Sequence, residues 1–484
     1  MNPDPTGEPR LDLDDIQAHI LPGFGHQHQR FLGWRLPDDD PAPAARALLA
    51  TIAGRITPAR HGLANRAIRK AVRHGLADPA QLTEPPAMAA ALSPRTLRAL
   101  GHPDLATIDE AVAVGMARRS YLRDPPSGTW AVGGPGKEID ILVILAGDDS
   151  ELLAEATAEV CATATCELVH DQQAHRLPGD VEHFGFRDGI SQPVLRGVVD
   201  DVGTALVTRT PMPLMPDHRA YAAPGDVLVW PGQFIFGLPR QSETAPARPA
   251  PARDMPALAR NGSLLVYRKL EQDVAGFQAD TARMAAELGT DPDALRAQLV
   301  GRWPDGRPLV GHADATRAEL NHFNYDTDTP DIPDGPRGAG ADPDGLRCPL
   351  AAHIRKVNPR DQETDKGPPA ATLAFAILRR GITYGYPSDS ERGLLFLCYQ
   401  TDVTQQFELL AQRWANNPER PRQGMDNGVD LLIGRVRAGT PRRARLLDGE
   451  VSTFTDYVLP RGGAYLFTPS LSALREMALA RDSR

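Results

Sequence analysis

Cysteine is scarce, and that excludes a disulfide-stapled fold. Four cysteines (Cys161, Cys166, Cys348 and Cys398) are spread over 484 residues, too widely for a disulfide framework. Cys161 and Cys166 match neither the C-x-x-C redox spacing nor a zinc pair with visible partners. All four therefore read as buried free thiols, which suits a cytoplasmic protein. Long apolar runs are missing as well. No stretch approaches the ~20 residues that span a bilayer, so no membrane partner is expected. The first residues, MNPDPTGEPRLDLDDIQ, are acidic and contain neither the apolar core of a secretory signal nor a twin arginine. Positive charge is also short: 53 Lys and Arg stand against 62 Asp and Glu, a net of -9. Chains that track phosphates carry the opposite surplus, so nucleic acid is not the expected partner. Proline (45) and glycine (43) are abundant, which predicts long ordered loops between regular elements.

The length exceeds one simple core and predicts two to four domain-sized units. Two segments follow one plan of strand, then acidic turn, then helix. Arg30–Leu36 leads into a helix over Ala42–Ala53, and Leu264–Leu270 leads through Glu271 and Asp273 into Ala275–Leu288. A second pair repeats it: Ile141–Leu145 precedes helical Ser150–Val160, and Leu394–Tyr399 precedes helical Thr404–Trp414. This order predicts an α+β protein of two halves, each a small sheet with helices on one side. Thr244–Pro256 (TAPARPAPARDMP) reads as a semi-rigid connector outside any sheet, because proline cannot donate to a ladder. Asp326–Pro349 is a second Asp-, Pro- and Gly-rich stretch, of a length that is usually functional.

Most of the 13 histidines need no special role. His26 with His28, and His170 and His175 near His183, form no HExxH or Cys/His zinc spacing and read as surface or turn residues. Gly133–Lys137 (GGPGK) lacks the order of a phosphate loop and reads as a turn. No G-x-S-x-G elbow is present. Three segments stand apart. In His183–Pro193 (HFGFRDGISQP), Asp188 precedes Gly189, which permits a sharp turn, and Phe184, Phe186 and Ile190 should partly desolvate the carboxylate. An ordinary Asp-Gly turn is the bland alternative. In Arg347–Asp361 (RCPLAAHIRKVNPRD), His353 follows two alanines that let a flat ring approach, and Arg355, Lys356 and Arg360 offer charge to carboxylates. A structural histidine beside basic residues fits equally. In Phe375–Pro387 (FAILRRGITYGYP), Phe375–Leu378 reads as a buried strand. Arg379 and Arg380 then point opposite ways, one into a pocket and one to solvent.

These three segments, in this order, resemble the dye-decolorizing peroxidases. Gly185-Phe186-Arg187-Asp188-Gly189 matches the G-x-x-D-G motif of that family, Ala352–Asp361 its proximal-histidine stretch, and Arg379–Gly385 its distal-arginine stretch. Further similarity runs through Asn261–Val274, Gly301–Val310, Gly393–Trp414 and Gly462–Leu474, and thinly through Asp15–Gly25. The resemblance implies tandem ferredoxin-like halves: residues 1–243 carrying the G-x-x-D-G motif, a connector at 244–260, and a haem-binding half at 261–484. It implies one haem b per chain, its iron held by His353, with Gly189, Ile190, Ser191, Ile354, Arg355, Leu394, Phe396, Phe407 and Asp430 around it. Asp430 would accept from the far nitrogen of His353, with Glu408 as the alternative. Asp188 and Arg379 would be catalytic, moving a proton and stabilising charge as hydrogen peroxide is cleaved to a ferryl intermediate. Aromatic or dye-like donors would then supply electrons, with Tyr384, Trp303 and Tyr399 as candidate surface aromatics for bulky ones. Association into homodimers is implied too. A haem carrier or sensor of the same fold is the competing reading, but it needs His353 without both Asp188 and Arg379. A haem-free α+β binding protein is the third.

Overall fold

The computed structural model describes residues 8–73, 75–78, 84–198, 225–244, 248–422, 424 and 426–479. Strand β1 (His28–Arg35) feeds α1 (Pro41–Ile52), where Pro41 presets φ in the first turn, and then α2 (Ala59–Arg73). β2 (Ala87–Leu92) and β3 (Ile141–Gly147) are buried along their whole length. α3 (Ser150–Thr163) starts on Asp149, whose carboxylate accepts from the free amides of Glu151 and Leu152. β4 (Glu167–His175) completes an antiparallel set in the order β4-β1-β3-β2.

The second half repeats this order. β5 (Ser263–Gln272) leads to α4 (Val274–Leu288), capped by Asp273 and closed by Gly289 at φ 68°. α5 (Pro292–Val300) and the short α6 (His353–Val357) follow, then β6 (Leu378–Arg379), β7 (Ile382–Tyr384) and β8 (Gly393–Gln400). β9 (Val458–Thr468) and α7 (Leu471–Leu479) end the described chain. Here β6 and β7 pair in succession along one edge of β8, followed on its other side by β5 and β9, and the last strand meets β2 with Phe467 opposite Leu92. The two expected sheets are thus one nine-stranded antiparallel sheet, two copies of a single strand order set edge to edge. Joining them pairs two edges that would otherwise leave backbone amides unsatisfied.

Under α1, α3 and α7, one sheet face buries Leu32, Trp34, Val143, Leu145, Val266 and Phe467. Fully burying such a side chain is worth roughly 1.5–3 kcal/mol each. The other face, with Phe31, Ile144, Leu265 and Leu397, is covered by irregular chain carrying Ile16, Ile20, Phe234 and Ile235. α4 does not press on the sheet. Its Phe277, Met284 and Ala285 form a separate cluster with Leu295, Leu299, Leu431 and Tyr457, which leaves room over β5 and β8.

Four expectations need correction. Thr404–Ala415 is helical but wound as a π-helix, with the Glu408 amide bonding the Val403 carbonyl five residues back at 2.9 Å. Of the expected Phe375–Leu378 strand only Leu378 pairs, together with Arg379, since Leu373–Phe375 is a 3₁₀ turn. Pro249–Ala250, in the connector, makes a two-residue ladder with Arg240–Gln241. His26, His170 and His175 are buried rather than at the surface; the His170 ring nitrogen Nε2 lies 2.6 Å from the Tyr267 hydroxyl. Gly133–Lys137 does form a turn, closed by the Gly133 amide on the Lys137 carbonyl. All four cysteines are unpaired, two buried and two half-buried.

Candidate active site

Successive strand residues face opposite ways, and β8 uses this to line a cavity. Leu394 and Phe396 face the cavity, while Leu395 and Leu397 enter the core. Arg268, Leu270 and Gln272 of β5 share the cavity face, and Phe407, Leu410 and Ala411 of the π-helix close one wall. The cavity, open on one side, has a volume of about 310 Å³. Into it also come Asp188, Gly189, Ile190 and Ser191 from one loop, His353 and Ile354 from α6, and Arg379 from the end of β6. Gly189 takes φ 75°, the left-handed turn that a side chain resists. Gly306 makes room for Ile190, whose Cδ1 would lie 2.5 Å from an added Cβ.

His353 opens α6 directly after the buried Ala351 and Ala352. Its Nδ1 lies 2.6 Å from Oδ2 of Asp430, a carboxylate with no solvent exposure. The other Asp430 oxygen accepts from the amides of Leu432 and Ile433 at 2.8 and 3.1 Å. Burial opposes charge on both groups, yet their mutual attraction prevails. His353 is held above its ordinary value and Asp430 below the usual carboxylate range. Among the described residues Nε2 of His353 has no protein partner, and the ring is 29% exposed, toward the cavity.

Asp188 is not desolvated between its phenylalanines. Its side chain is 48% exposed, with Oδ1 taking the Gly189 amide at 2.6 Å and lying 4.0 Å from Nη2 of Arg379. Phe184 instead packs on Phe277 at 4.4 Å between ring centres. Arg379 is tethered by Nη2 to the Ser191 carbonyl at 3.0 Å and by its amide to Gln192. Arg380 does point the other way and is half-buried rather than freely in solvent: the carbonyls of His19 and Ile20 receive it, and burial pushes its pKa down to about 9.

Arg355 does not reach the cavity. It is buried against Asp342 at 3.0 Å, the Cys348 carbonyl and Gln362, where it ties down the Asp326–Pro349 segment. Lys356 likewise turns to the Asn417 and Arg420 carbonyls. Only Arg360 of those three basic residues lines the cavity, bonded to Ser191 and the Phe323 carbonyl. Glu408 is not a partner of His353, because Arg119, Tyr121 and Tyr465 occupy it. Tyr384 and Tyr399 are each 1% exposed, so neither is a surface aromatic, and Trp303 is half-buried.

Glu182 and Arg302 are among the cavity residues that were not anticipated. Glu182 accepts from the amides of Phe184 and Phe186 and from Gln272, and burial pushes it up to about 7. Arg302 donates to the Gly306 and Leu320 carbonyls, and burial lowers it to about 9. Glu182 lies six positions before Asp188 in the sequence, but an acid in a loop carries no periodic signal.

Among the described residues no cluster of three or more His, Cys, Asp or Glu could chelate an ion. The site is instead a lone imidazole above an apolar slot with arginines at its margin, a donor set that fits a flat, anionic metallo-macrocycle. The fold is a tandem ferredoxin-like α+β sheet, and the cavity is lined both by the loop around Asp188 and by His353, Arg379 and β8 from later in the chain.

Comparison with known proteins gives the family. The family described as "Dyp-type peroxidase, C-terminal" matches residues 308–425. Dye-decolorizing peroxidase msp1 of Mycetinis scorodonius is 31% identical, covering 96% of this chain and 87% of its own. Multifunctional dye peroxidase DyP2 of an Amycolatopsis species is 29% identical, covering 98% and 97%. The solved decolorizing peroxidase of Auricularia auricula-judae superposes with a TM-score of 0.74 at 28% identity over 97% of this chain and 100% of that one. The chain belongs to the dye-decolorizing peroxidase family.

Proposed function

We propose that the cavity holds one haem b per chain through His353, and that the protein reduces hydrogen peroxide while oxidising aromatic or dye-like donors. The observation that carries this reading is the meeting, in one cavity, of an imidazole locked by Asp430 with the Asp188–Arg379 pair. When bound, haem supplies the redox chemistry, taking oxidising equivalents from peroxide and passing them to one-electron donors.

The chain's own residues do the rest. With Nδ1–H donated to Asp430, the Nε2 lone pair of His353 is left for iron, and the carboxylate makes that nitrogen a stronger donor. Asp188, open to the cavity and anchored at the Gly189 amide, holds the proton that peroxide must shift from one oxygen to the other. Arg379, fixed by Ser191, presents positive charge where negative charge develops. Leu394 and Phe396 exclude water beside that pair, Gly189, Ile190, Ile354 and Phe407 wall the ring, and Arg302 and Arg360 suit its carboxylates. We also propose the division at 244–260, since four sheet strands precede it and five follow. A cytoplasmic location is proposed on the unpaired thiols, and a homodimer on the family likeness.

Stopped-flow mixing of the haem-loaded protein with peroxide tests the reading. Asp188→Asn should slow the first spectral step by ~10²–10⁴-fold and Arg379→Leu by roughly 10²–10³-fold, both with normal haem content. Parental rates in both variants would overturn it.

A further inference from the structure

Tyr325 leaves a hydrogen bond unmade at the cavity wall. Its side chain lines the cavity, has no solvent exposure, and its hydroxyl makes no hydrogen bond among the described residues. Buried phenols normally find a partner. What lies against this one is a thiol. Cys348 is 1% exposed and packs in the same apolar cluster, and its Sγ approaches the phenol oxygen without completing a bond of normal geometry.

The pair is clamped from both ends. The Arg355 guanidinium covers the Tyr325 ring at 4.2 Å and donates to the Cys348 carbonyl at 2.7 Å. Asp342, whose Oδ2 accepts from the Cys348 amide at 2.9 Å, donates its own amide to the Tyr325 carbonyl at 2.7 Å. Between the two residues runs Asp326–Arg347, most of the Asp-, Pro- and Gly-rich segment that ends shortly before His353. Phenol and thiol therefore meet at the neck of one long loop. Burial pushes the thiol up to about 11 and holds the phenol above its ordinary range. Neither anion stands ready, so ordinary thiolate chemistry is shut off. A radical route stays open, because Tyr325 faces the cavity in which oxidising equivalents arise.

We propose that Tyr325 and Cys348 form a self-processing site, joined by a thioether between Sγ and the ring carbon beside the hydroxyl when the haem-loaded protein meets peroxide. This rests on the peroxidase reading above. Tyr325 gives one electron to the first oxidising equivalent, and its O–H proton goes to oxygen derived from peroxide. The Cys348 S–H passes its hydrogen atom to the phenoxyl oxygen, which restores the O–H bond and leaves a thiyl radical. The sulfur bonds the neighbouring ring carbon. The second oxidising equivalent takes one electron from this adduct, the proton of the ring C–H leaves with it, and aromaticity returns. One S–H and one C–H bond are thus replaced by one C–S bond, while one peroxide becomes two waters. The product closes Asp326–Arg347 covalently at its neck, directly ahead of the helix that presents His353.

Peptide mass spectrometry tests it on protein purified without haem, then loaded with hemin and treated with peroxide. Trypsin should release Ala318–Arg337 and Cys348–Arg355 as one joined peptide, lighter than their sum by two hydrogen atoms. The same peptides should come apart from the haem-free protein and from loaded protein kept from peroxide. Cys348→Ser and Tyr325→Phe should stay unlinked. The midpoint of thermal unfolding should rise on peroxide treatment in the parent and not in Cys348→Ser, because the link shortens a loop of the unfolded chain. Oxidation of guaiacol by the same loaded parent is followed in parallel. Guaiacol turnover with Cys348 still a free thiol, or carried instead to a sulfinic acid, would overturn the proposal. A joined peptide already present before haem is added would overturn the haem-driven route. If guaiacol is not oxidised at all, the peroxidase reading has failed and the link falls with it.

Discussion

Replacing Asp430 by asparagine probes the least conspicuous part of the site. The carboxylate spans two loads: Oδ2 holds Nδ1 of His353 at 2.6 Å, and Oδ1 holds the amides of Leu432 and Ile433. A carboxamide cannot serve both, because whichever end carries the NH₂ faces an existing N–H. The backbone amides are fixed, so the conflict falls on the imidazole, which relieves it by moving its proton to Nε2. That nitrogen faces the cavity, and once protonated it cannot bind iron. A buried hydrogen bond to a charged group is worth roughly 1.5–3 kcal/mol. Partners behind a metal ligand typically govern ~10–100-fold in affinity, the same range at ~1.4 kcal/mol per decade. Asp430→Asn should therefore weaken haem binding by ~10–100-fold, as read from a Soret titration at neutral pH. Parental affinity together with a parental ferric spectrum would refute the reasoning, since the tautomer would then be set by something other than Asp430.

Glu182 gives a pH signature. Its folded value of about 7 exceeds the ordinary 4.5, so ionisation penalises the fold. The penalty is absent below the lower value and complete above the upper one. The Tm of the parent should accordingly fall relative to Glu182→Gln between pH 4.5 and pH 7; a difference independent of pH would count against the assignment. Arg355→Leu leaves Asp342 buried and unpaired, which should cost ~3–5 kcal/mol in urea unfolding while the haem spectrum of the folded fraction stays parental. A loss below ~1 kcal/mol, the range of a surface pair, would show that this network is dispensable.

Local patterning carried most of the architecture. The paired strand-helix units, the turn at Gly133–Lys137 and the alternation of Leu394 and Phe396 all follow from short-range periodicity. What sequence could not show is long-range. The pairing of Phe467 with Leu92 turns two sheets into one, and nothing near either residue announces it. The same holds for the site. His353, Asp188 and Arg379 stood out through their neighbours, and the structure brings all three to one cavity. Arg355 stood out for the same reason but turns away, since two residues further round, the helix faces the Asp342 network instead. Glu182 lay outside any legible pattern, because its significance comes from burial and from a partner that is distant in the chain, Gln272.

The central claim is that His353 holds haem. Parent and His353→Ala, purified without haem and titrated with hemin, decide it by absorbance. The parent should bind one equivalent and give a ferric spectrum with an axial imidazole. The variant should stay largely haem-free or show a grossly altered Soret band, while keeping the parental far-UV dichroism. One equivalent of haem in His353→Ala with the parental ferric spectrum would contradict the account.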